Sequence, residues 1–195
     1  MIRQATPDDA IQAIPLICEA GGGIVNTLAG TADSGEIMRI LAEFFRQEGN
    51  RVSHRNTLVA ERNGTVVGVL VSYHGSHSEA LDLPFLERQR AEYGRVMMVI
   101  AREARPDEYY LDSLVVVGEA RGQGIATALL AEFEVMAQRQ GHAKVALLAE
   151  EGNEPALRLY RKSGYLTDEI VRIQGHDYHH MVKILTVAPE IHHPA

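Results

Sequence analysis

The chain has 195 residues, of which 46% are hydrophobic and 23% are charged. This composition is ordinary for a globular protein and excludes a fibrous or wholly disordered chain. The 26 Asp and Glu residues outnumber the 19 Lys and Arg residues, so the formal net charge is −7. Because nucleic acids and anionic membranes bind clustered positive charge, this acidity argues against both as broad partners.

Strands and helices alternate in the first half of the chain. Thr6 as N-cap, with Pro7 behind it, indicates a helix start, and the turn residues Asn63 and Gly64 between two apolar runs indicate a hairpin. In chain order, the predicted elements are a strand over residues 2–5, a helix from residue 6 to the glycines 21–23, an amphipathic helix from residue 33 to about residue 49, and strands over residues 57–60 and 65–73.

Residues 75–106 interrupt this pattern, and we interpret them as an insertion between two strands of the sheet, with a helix over residues 84–104. The chain then returns to alternating elements, among which the apolar run 145–149 is typical of a strand covered on both faces. In chain order, these are a strand over residues 109–117, a helix over 122–140, a strand over 145–149, a helix from 153 to 164, and strands over 165–173 and 178–187.

The order of these elements predicts the fold class. The chain has no internal repeat and no linker, so we expect one domain over residues 1–187 and a loose C-terminal tail at 188–195. Interleaved strands and helices predict an α/β or α+β fold, in which one sheet carries helices on both faces.

The location of the protein is predicted from its single cysteine and its apolar runs. Cys18 follows an apolar run, so we expect a buried thiol, no intrachain disulfide and a reducing compartment. The first residues lack the apolar core of a signal sequence, and no run in the sequence approaches the ~20 apolar residues that cross a bilayer. We therefore expect a cytoplasmic protein.

The most informative segment is a glycine-rich turn between a hydrophobic strand and a long helix. Glycines let a ligand approach the backbone closely, and the first turn of the helix leaves unpaired N–H groups at the positive end of its dipole. This combination suits phosphate oxygens. Two familiar phosphate loops do not fit, because a Walker A count from Gly118 puts Gln123 at the second glycine, and a dinucleotide fingerprint read from Gly122 puts Thr127 at its last position.

Two motifs give a resemblance to a known family. Arg121, Gly124 and Ala126 match the pattern R/Q-x-x-G-x-G/A, and residues 153–165 match N-x-x-A-x-x-L-Y-x-x-x-G-F/Y. With both motifs in this order, the chain resembles the GNAT superfamily of N-acetyltransferases over most of its length, the insertion and the tail excepted. It departs from many relatives at Gly118, where they have proline, and at Ala120, where an aromatic residue is common.

The resemblance implies a mixed, mostly antiparallel central sheet with splayed central strands, and acetyl-CoA as the acyl donor. In such a sheet the Val116 N–H is the natural donor to a developing oxyanion. By the same resemblance Tyr160 is the general acid and Asn153 a cofactor contact, although from its spacing alone Tyr160 could be a core residue. The other residues implied to bind the cofactor are Leu114, Val115 and Val116 for the pantetheine arm, and Arg121, Gly122, Gln123, Gly124, Ile125 and Ala126 for the pyrophosphate.

The general base and a metal site are separate questions. Asp112 is the first candidate base, because period-two alternation places it on the strand face of Leu114 and Val116; the alternative is a solvated or structural acid. His179 and His180 are adjacent in a predicted strand and point to opposite faces, so we expect that they and His176 hold no metal. One of these histidines lining the acceptor cleft is a lesser hypothesis.

We therefore expect an acetyl-CoA-dependent N-acetyltransferase that acts by direct transfer to a primary amine in a ternary complex, without metal, nucleic acid or membrane. The alternative is a non-catalytic module that binds or senses acyl-CoA. The acceptor stays open between cationic small amines, peptide N-termini and lysines of other proteins. The insertion at 75–106 is expected either to recognise the acceptor or to pack on the domain or on a second copy, as in a homodimer.

Overall fold

The computed structural model describes residues 1–97 and 99–186, and one open sheet of seven strands forms its centre. The strands are β1 (Ile2–Gln4), β2 (Thr57–Arg62), β3 (Thr65–His74), β4 (Tyr109–Val116), β5 (Lys144–Glu150), β6 (Leu166–Ile173) and β7 (His176–Ile184). Their order in the sheet is β1-β2-β3-β4-β5-β7-β6, and β4 with β5 is the parallel pair among otherwise antiparallel neighbours. The predicted mixed, mostly antiparallel sheet is confirmed.

Helices cover both faces of this sheet, as the alternating elements predicted. They are α1 (Ala10–Gly21), α2 (Gly23–Ala29), α3 (Ser34–Arg46), α4 (Ser78–Tyr93), α5 (Ile125–Arg139) and α6 (Glu154–Lys162). One core joins the helices α1 to α4 to strand residues such as Val69 and Val115, and a second core joins α5 and α6 to residues such as Leu70 and Leu111. Cys18 is half-buried against the first core, and burial raises the pKa of its thiol.

The start of the first helix forms as its residues predict. Asp9 Oδ2 accepts hydrogen bonds from the Thr6 N–H at 2.7 Å and from Arg3 Nη1, also at 2.7 Å. The Arg3 guanidinium lowers the pKa of this carboxyl to about 2. These contacts fix the entry of the chain into a short 3₁₀ turn, Pro7–Asp9, from which α1 continues.

Helix α2 is missing from the sequence prediction. The three glycines indicated an end to the helical segment, but the chain bends at Gly22, where φ is 49°, and resumes as a helix of seven residues. Within the described ranges no single helix is long and apolar enough to cross a membrane; Pro7–Gly21 and Gly23–Ala29 meet that test of length and composition only as a pair, bent by 119°. The bend matters because residues 21–23 border the cleft described below.

The helix predicted over residues 84–104 is displaced. Helix α4 begins at Ser78, continues through Pro84 and ends at Tyr93, with Gly94 as a left-handed C-cap, and residues 95–97 and 99–108 contain no helix or strand. Pro84, the first residue of the predicted helix, lies inside α4. Phe85 anchors α4 in the core, 4.2 Å from Phe44 between ring centroids. Whether residues 75–106 are an insertion stays a prediction.

Three smaller differences complete the comparison. Helix α5 starts at Ile125 rather than at Gly122, because residues 122–124 form a turn. Strand β7 ends at Ile184. Val187, the predicted tail at 188–195 and Met98, which the sequence prediction included in the helix of the insertion, lie outside the described residues.

The central strands separate, as the resemblance implied. Pairing between β4 and β5 covers Tyr109 to Leu111 against Val145 to Leu147, and beyond Leu111 the two strands have no common register. At the same point the register of β3 with β4 shifts between Val71 and Ser72, which leaves Asp112 as an extra, bulged residue.

The bulge corrects the predicted orientation of Asp112. Leu111 and Leu114, three residues apart, both pack on the α5 side of the sheet, whereas the Asp112 carboxylate contacts Arg51 and Tyr73 on the opposite side. The expectation that Asp112 shares a strand face with Leu114 and Val116 is therefore wrong, because an extra residue breaks the period of two.

Candidate functional site

The separation of β4 and β5 opens a cleft of about 400 Å³ in the middle of the sheet. Its lining includes five of the residues singled out from the sequence, namely Asp112, Leu114, Val115, Asn153 and Tyr160. The glycines at 21–23 and residues 173, 174 and 178 of the β6–β7 hairpin also border it. The second motif therefore lines the cleft, whereas Val116 and residues 121–126 of the first motif are not among the lining residues.

Strand β4 turns unpaired peptide groups into this cleft. The Val117 N–H donates to the Val67 carbonyl of β3 at 3.0 Å, and Val115 is paired with Val69. Because adjacent residues of a strand point their N–H groups to opposite edges, Leu114 and Val116 point theirs away from β3, where β5 no longer pairs. An extended amide ligand could pair with this edge as an added strand.

The turn before α5 exposes a run of backbone donors. Gly122 and Gly124 have φ of 73° and 79°, and the Ala128 N–H makes the first bond of the helix, to the Gly124 carbonyl. The N–H groups of residues 122–127 donate to no other group in the part of the chain that the structure describes. They lie at the positive end of a helix of 15 residues, so this turn suits an anion such as a pyrophosphate.

Arg121 connects the turn to the strand. Its Nε donates to the Val116 carbonyl at 2.8 Å, and its Nη2 lies 2.8 Å from Glu19 Oε1. Both side chains of this ion pair are more than half exposed, so it contributes little and an anionic ligand could displace Glu19. The Gln123 side chain is engaged with Arg62 and with the Glu119 carbonyl, so Gln123 offers a ligand its N–H group.

Tyr160 and Asn153 border the cleft from α6. Tyr160 is 7% exposed, and burial raises its pKa to about 12, so the phenol keeps its proton at neutral pH. No group of the described residues hydrogen-bonds to its hydroxyl. Asn153 is the N-cap of α6, where its Oδ1 accepts from the Ala156 N–H at 3.2 Å. Its Oδ1 is therefore engaged by the helix, whereas its amide group is open to a ligand.

A buried arginine that the sequence did not single out stands at one side of the cleft. The Arg51 side chain is 3% exposed, and its Nε donates to Asp112 Oδ1 at 2.7 Å. Two more carboxylates contact it, since Nη2 lies 2.5 Å from Glu103 Oε2 and Nη1 lies 3.7 Å from Asp82 Oδ1. The Tyr73 hydroxyl also donates to Asp112 Oδ1, at 3.0 Å. We call Arg51, Asp82, Glu103 and Asp112 the Arg51 cluster.

The Arg51 cluster contains three carboxylates and one guanidinium, and this excess of negative charge favours protonation of a carboxylate. Burial raises the pKa of Asp82 to about 6, although the attraction of Arg51 opposes this rise. Burial likewise raises the pKa of Glu103. No sequence signal identified the cluster, because Asp82 and Glu103 lie in the supposed insertion and Arg51 follows α3; tertiary packing alone brings them together.

The histidines near the C-terminus act separately. His176 Nδ1 lies 2.9 Å from Glu150 Oε1, and His179 Nδ1 lies 3.2 Å from Thr167 Oγ1. His180 is buried between Asp168 at 2.5 Å and Glu108 at 3.2 Å; burial lowers its pKa, but these two carboxylates outweigh burial and raise it overall. None of the three is among the residues that line the cleft, so the hypothesis that one contacts the acceptor stays a prediction. In residues 1–97 and 99–186, no group of three or more His, Cys, Asp or Glu could hold a metal ion.

Comparison with known proteins agrees with this geometry. The model of the acetyltransferase (GNAT) family matches residues 31–165, and no curated protein sequence matches the chain. A crystal structure of an acetyltransferase is similar at 29% identity and a TM-score of 0.80, over 95% of this chain and 100% of that one. An N-acetyltransferase from Staphylococcus aureus Mu50 is similar at 26% identity and a TM-score of 0.77, over 94% and 100%.

A third solved structure agrees at lower similarity. A ribosomal-protein-alanine N-acetyltransferase from Brucella melitensis has 25% identity and a TM-score of 0.59, over 95% of this chain and 99% of that one. The family model spans well over half of the chain, and its range contains both motifs. The protein therefore belongs to the GNAT family of acetyltransferases.

Proposed function

We propose that this protein is an N-acetyltransferase that uses acetyl-CoA and acetylates a primary amine by direct attack in a ternary complex. Membership of the family supports acetyl transfer and acetyl-CoA in general terms. The observation that carries the finer proposal is the cleft between β4 and β5, which the open edge of β4 and Tyr160 line, together with the turn before α5, which Arg121 joins to β4 through the Val116 carbonyl.

The residues present fit acetyl-CoA. The N–H groups of residues 122–127 and the Arg121 guanidinium suit the pyrophosphate. The open edge of β4 at Leu114 and Val116 suits the amides of the pantetheine arm, which would pair with it as a further strand. Asn153 would contribute its free amide group from the start of α6. These residues position the thioester inside the cleft.

The proposed chemistry forms a C–N bond, breaks the C–S bond and releases protons from the amine nitrogen. The amine nitrogen attacks the thioester carbonyl carbon, and the oxygen that gains negative charge accepts a hydrogen bond from the Val116 N–H. One such donor contributes about 2.7–4 kcal/mol to the transition state. The C–S bond then breaks, and the departing thiolate accepts a hydrogen bond from Tyr160, which borders the same cleft.

The pKa of Tyr160 refines its role. A thiol has a pKa of about 8.5, so full proton transfer from a phenol at about 12 to the thiolate is uphill by about 5 kcal/mol. We therefore propose that Tyr160 stabilises the thiolate by a hydrogen bond. Cys18 is not among the cleft-lining residues, which supports transfer without an acetyl-cysteine intermediate.

Thiol release from acetyl-CoA, measured with a panel of primary amines, tests the proposal. We expect release that depends on the acceptor and that decreases in Tyr160→Phe. The alternative, a module that binds or senses acyl-CoA, predicts CoA binding without thiol release for every amine, and that result would refute the enzyme.

A further inference from the structure

The side chains that line the cleft carry more negative charge than positive charge. Four acidic side chains and one basic side chain border it, and these are Glu19, Glu103, Asp112, Glu150 and Arg51. Two of the acids have cationic or potentially cationic partners, since Glu19 contacts Arg121 and Glu150 contacts His176. The unbalanced negative charge therefore belongs to the Arg51 cluster.

Asp112 already accepts hydrogen bonds from three side chains. Its Oδ1 accepts from Arg51 and Tyr73, its Oδ2 accepts from the Ser113 hydroxyl at 3.0 Å, and its side chain is 8% exposed. An incoming ammonium group would have to displace one of these donors. This geometry makes Asp112 a positioning residue that holds Arg51, rather than the group that meets the acceptor.

Glu103 is the more exposed of the two carboxylates of the Arg51 cluster that line the cleft. Its Oε2 lies 2.5 Å from Arg51 Nη2, and its side chain is 17% exposed, twice the fraction of Asp112. Asp82, the third carboxylate, is not among the cleft-lining residues. Besides Arg51, which precedes β2, five titratable groups of the described residues interact with Glu103 or with Arg51. They are Tyr73 of β3, Asp82 of α4, Tyr110 and Asp112 of β4, and Tyr178 of β7.

We infer that Glu103 receives the acceptor amine and takes its proton, and that the acceptor is an alkylamine with a net positive charge. This inference rests on the proposed function. In the step, an N–H bond of the ammonium breaks and an O–H bond forms on Glu103. The freed nitrogen lone pair then forms the bond to the acetyl carbon. As the C–S bond breaks, the nitrogen loses its second proton to the departing thiolate through water, and the first proton leaves Glu103 for water.

Two properties of the cluster support this role. Burial raises the pKa of Glu103, which brings its affinity for a proton closer to that of an amine. The two carboxylates of the cluster that line the cleft, Glu103 and Asp112, also outnumber the one guanidinium, so their negative charge would attract a second cation and repel an acceptor that carries a carboxylate.

Three amines of one chain length test the choice of acceptor. n-Butylamine, 1,4-diaminobutane and 4-aminobutyrate share a primary amine and differ in the group at the far end. We expect the wild-type kcat/KM to be at least tenfold higher for each of the first two than for 4-aminobutyrate. Equal values for all three, or no turnover of either cationic amine by a protein that binds CoA, would overturn the inference; a protein that does not bind CoA refutes the proposed function instead.

Glu103→Gln tests the proton transfer, with Asp82→Asn as the matched control because Asp82 contacts the same arginine from outside the cleft. We expect Glu103→Gln to lower kcat at pH 7 about 100-fold or more, to leave the KM for acetyl-CoA within twofold, and to abolish the acidic limb of the pH–rate profile. We expect Asp82→Asn to change kcat less than threefold, and Glu103→Asp to keep about a tenth of the activity.

Three results would overturn the assignment of Glu103. They are a Glu103→Gln variant within threefold of wild type, an unchanged pH profile, and equal losses of kcat in Glu103→Gln, Glu103→Asp and Asp82→Asn. The last result would indicate a structural role for the whole cluster. The thermal shift produced by CoA is measured for each variant, and a normal shift confirms that the variant is folded.

Discussion

Asp82→Asn is expected to stabilise the protein at neutral pH, although it removes a partner of a buried arginine. The Asp82 carboxylate lies 3.7 Å from Arg51, and its buried Oδ1 has no hydrogen-bond partner in the described part of the chain. The carboxylate is thus removed from water without a good bond in return, and asparagine keeps its shape without the charge.

The magnitude follows from the change in pKa. Burial raises the pKa of Asp82 from the ordinary 3.8 to about 6, so the folded protein binds this proton more tightly than the unfolded chain. The free energy of unfolding therefore falls as the pH rises from about 4 to about 6, and it stays low above that range. At about 1.4 kcal/mol for each pH unit between the two values, the ionised carboxylate costs about 3 kcal/mol at pH 8.

Urea denaturation of wild type and Asp82→Asn at pH 4 and at pH 8 measures this cost. We expect nearly equal stability at pH 4, and at pH 8 a variant more stable by about 3 kcal/mol, or by about 6–12 °C in Tm at 2–4 °C per kcal/mol. A variant that is less stable than wild type at pH 8 would refute the reasoning, because the Arg51–Asp82 contact would then be net stabilising. A gain that is the same at both pH values would refute it as well.

Three further substitutions test the site and the first helix. Tyr160→Phe removes the phenol hydroxyl, so we expect kcat to fall about tenfold or more in the thiol-release assay while the Kd of CoA measured by calorimetry is unchanged. Gly124→Ala forces a side chain into a residue with φ of 79°, and we expect a loss of about 1–2 kcal/mol in urea denaturation and weaker CoA binding, whereas Gly152→Ala, which lies in open space without positive φ, serves as control. Asp9→Asn removes a carboxylate whose pKa is lowered to about 2, so we expect the variant to be destabilised at pH 7 and the difference from wild type to shrink as the pH falls from about 4 toward 2.

The parts of the fold that could be predicted are those with local signals. The capping residues Thr6 and Asp9, the turn at Asn63 and Gly64 and the glycine-rich turn before α5 each act within a few residues, and each forms as expected. Helix α2 escaped prediction because it has seven residues and follows three glycines. The start of α4 was misplaced because proline is favourable in a first turn but is also tolerated in an anchored helix.

The candidate site likewise has parts with a local signal in the sequence and parts without one. The motifs identified the turn before α5 and Tyr160, because both are defined by short patterns that the backbone presents directly. The orientation of Asp112 depended on a bulge, which alternation along one strand cannot reveal. Arg51 and Glu103 are 52 residues apart and meet only in the folded chain, so the spacing of residues in the sequence does not indicate their contact.

Under the proposed function, the hydrogen bond from Arg121 to the Val116 carbonyl couples the binding of the donor's phosphates to the alignment of its thioester. The guanidinium that we propose binds the pyrophosphate also holds the end of the strand whose N–H group we propose as the donor to the reacting carbonyl. Binding energy from the distant, unreactive phosphates can thus be converted into alignment at the thioester. A donor without the pyrophosphate would consequently lose turnover and not merely affinity, and substitutions of Arg121 would lower kcat even at saturating acetyl-CoA.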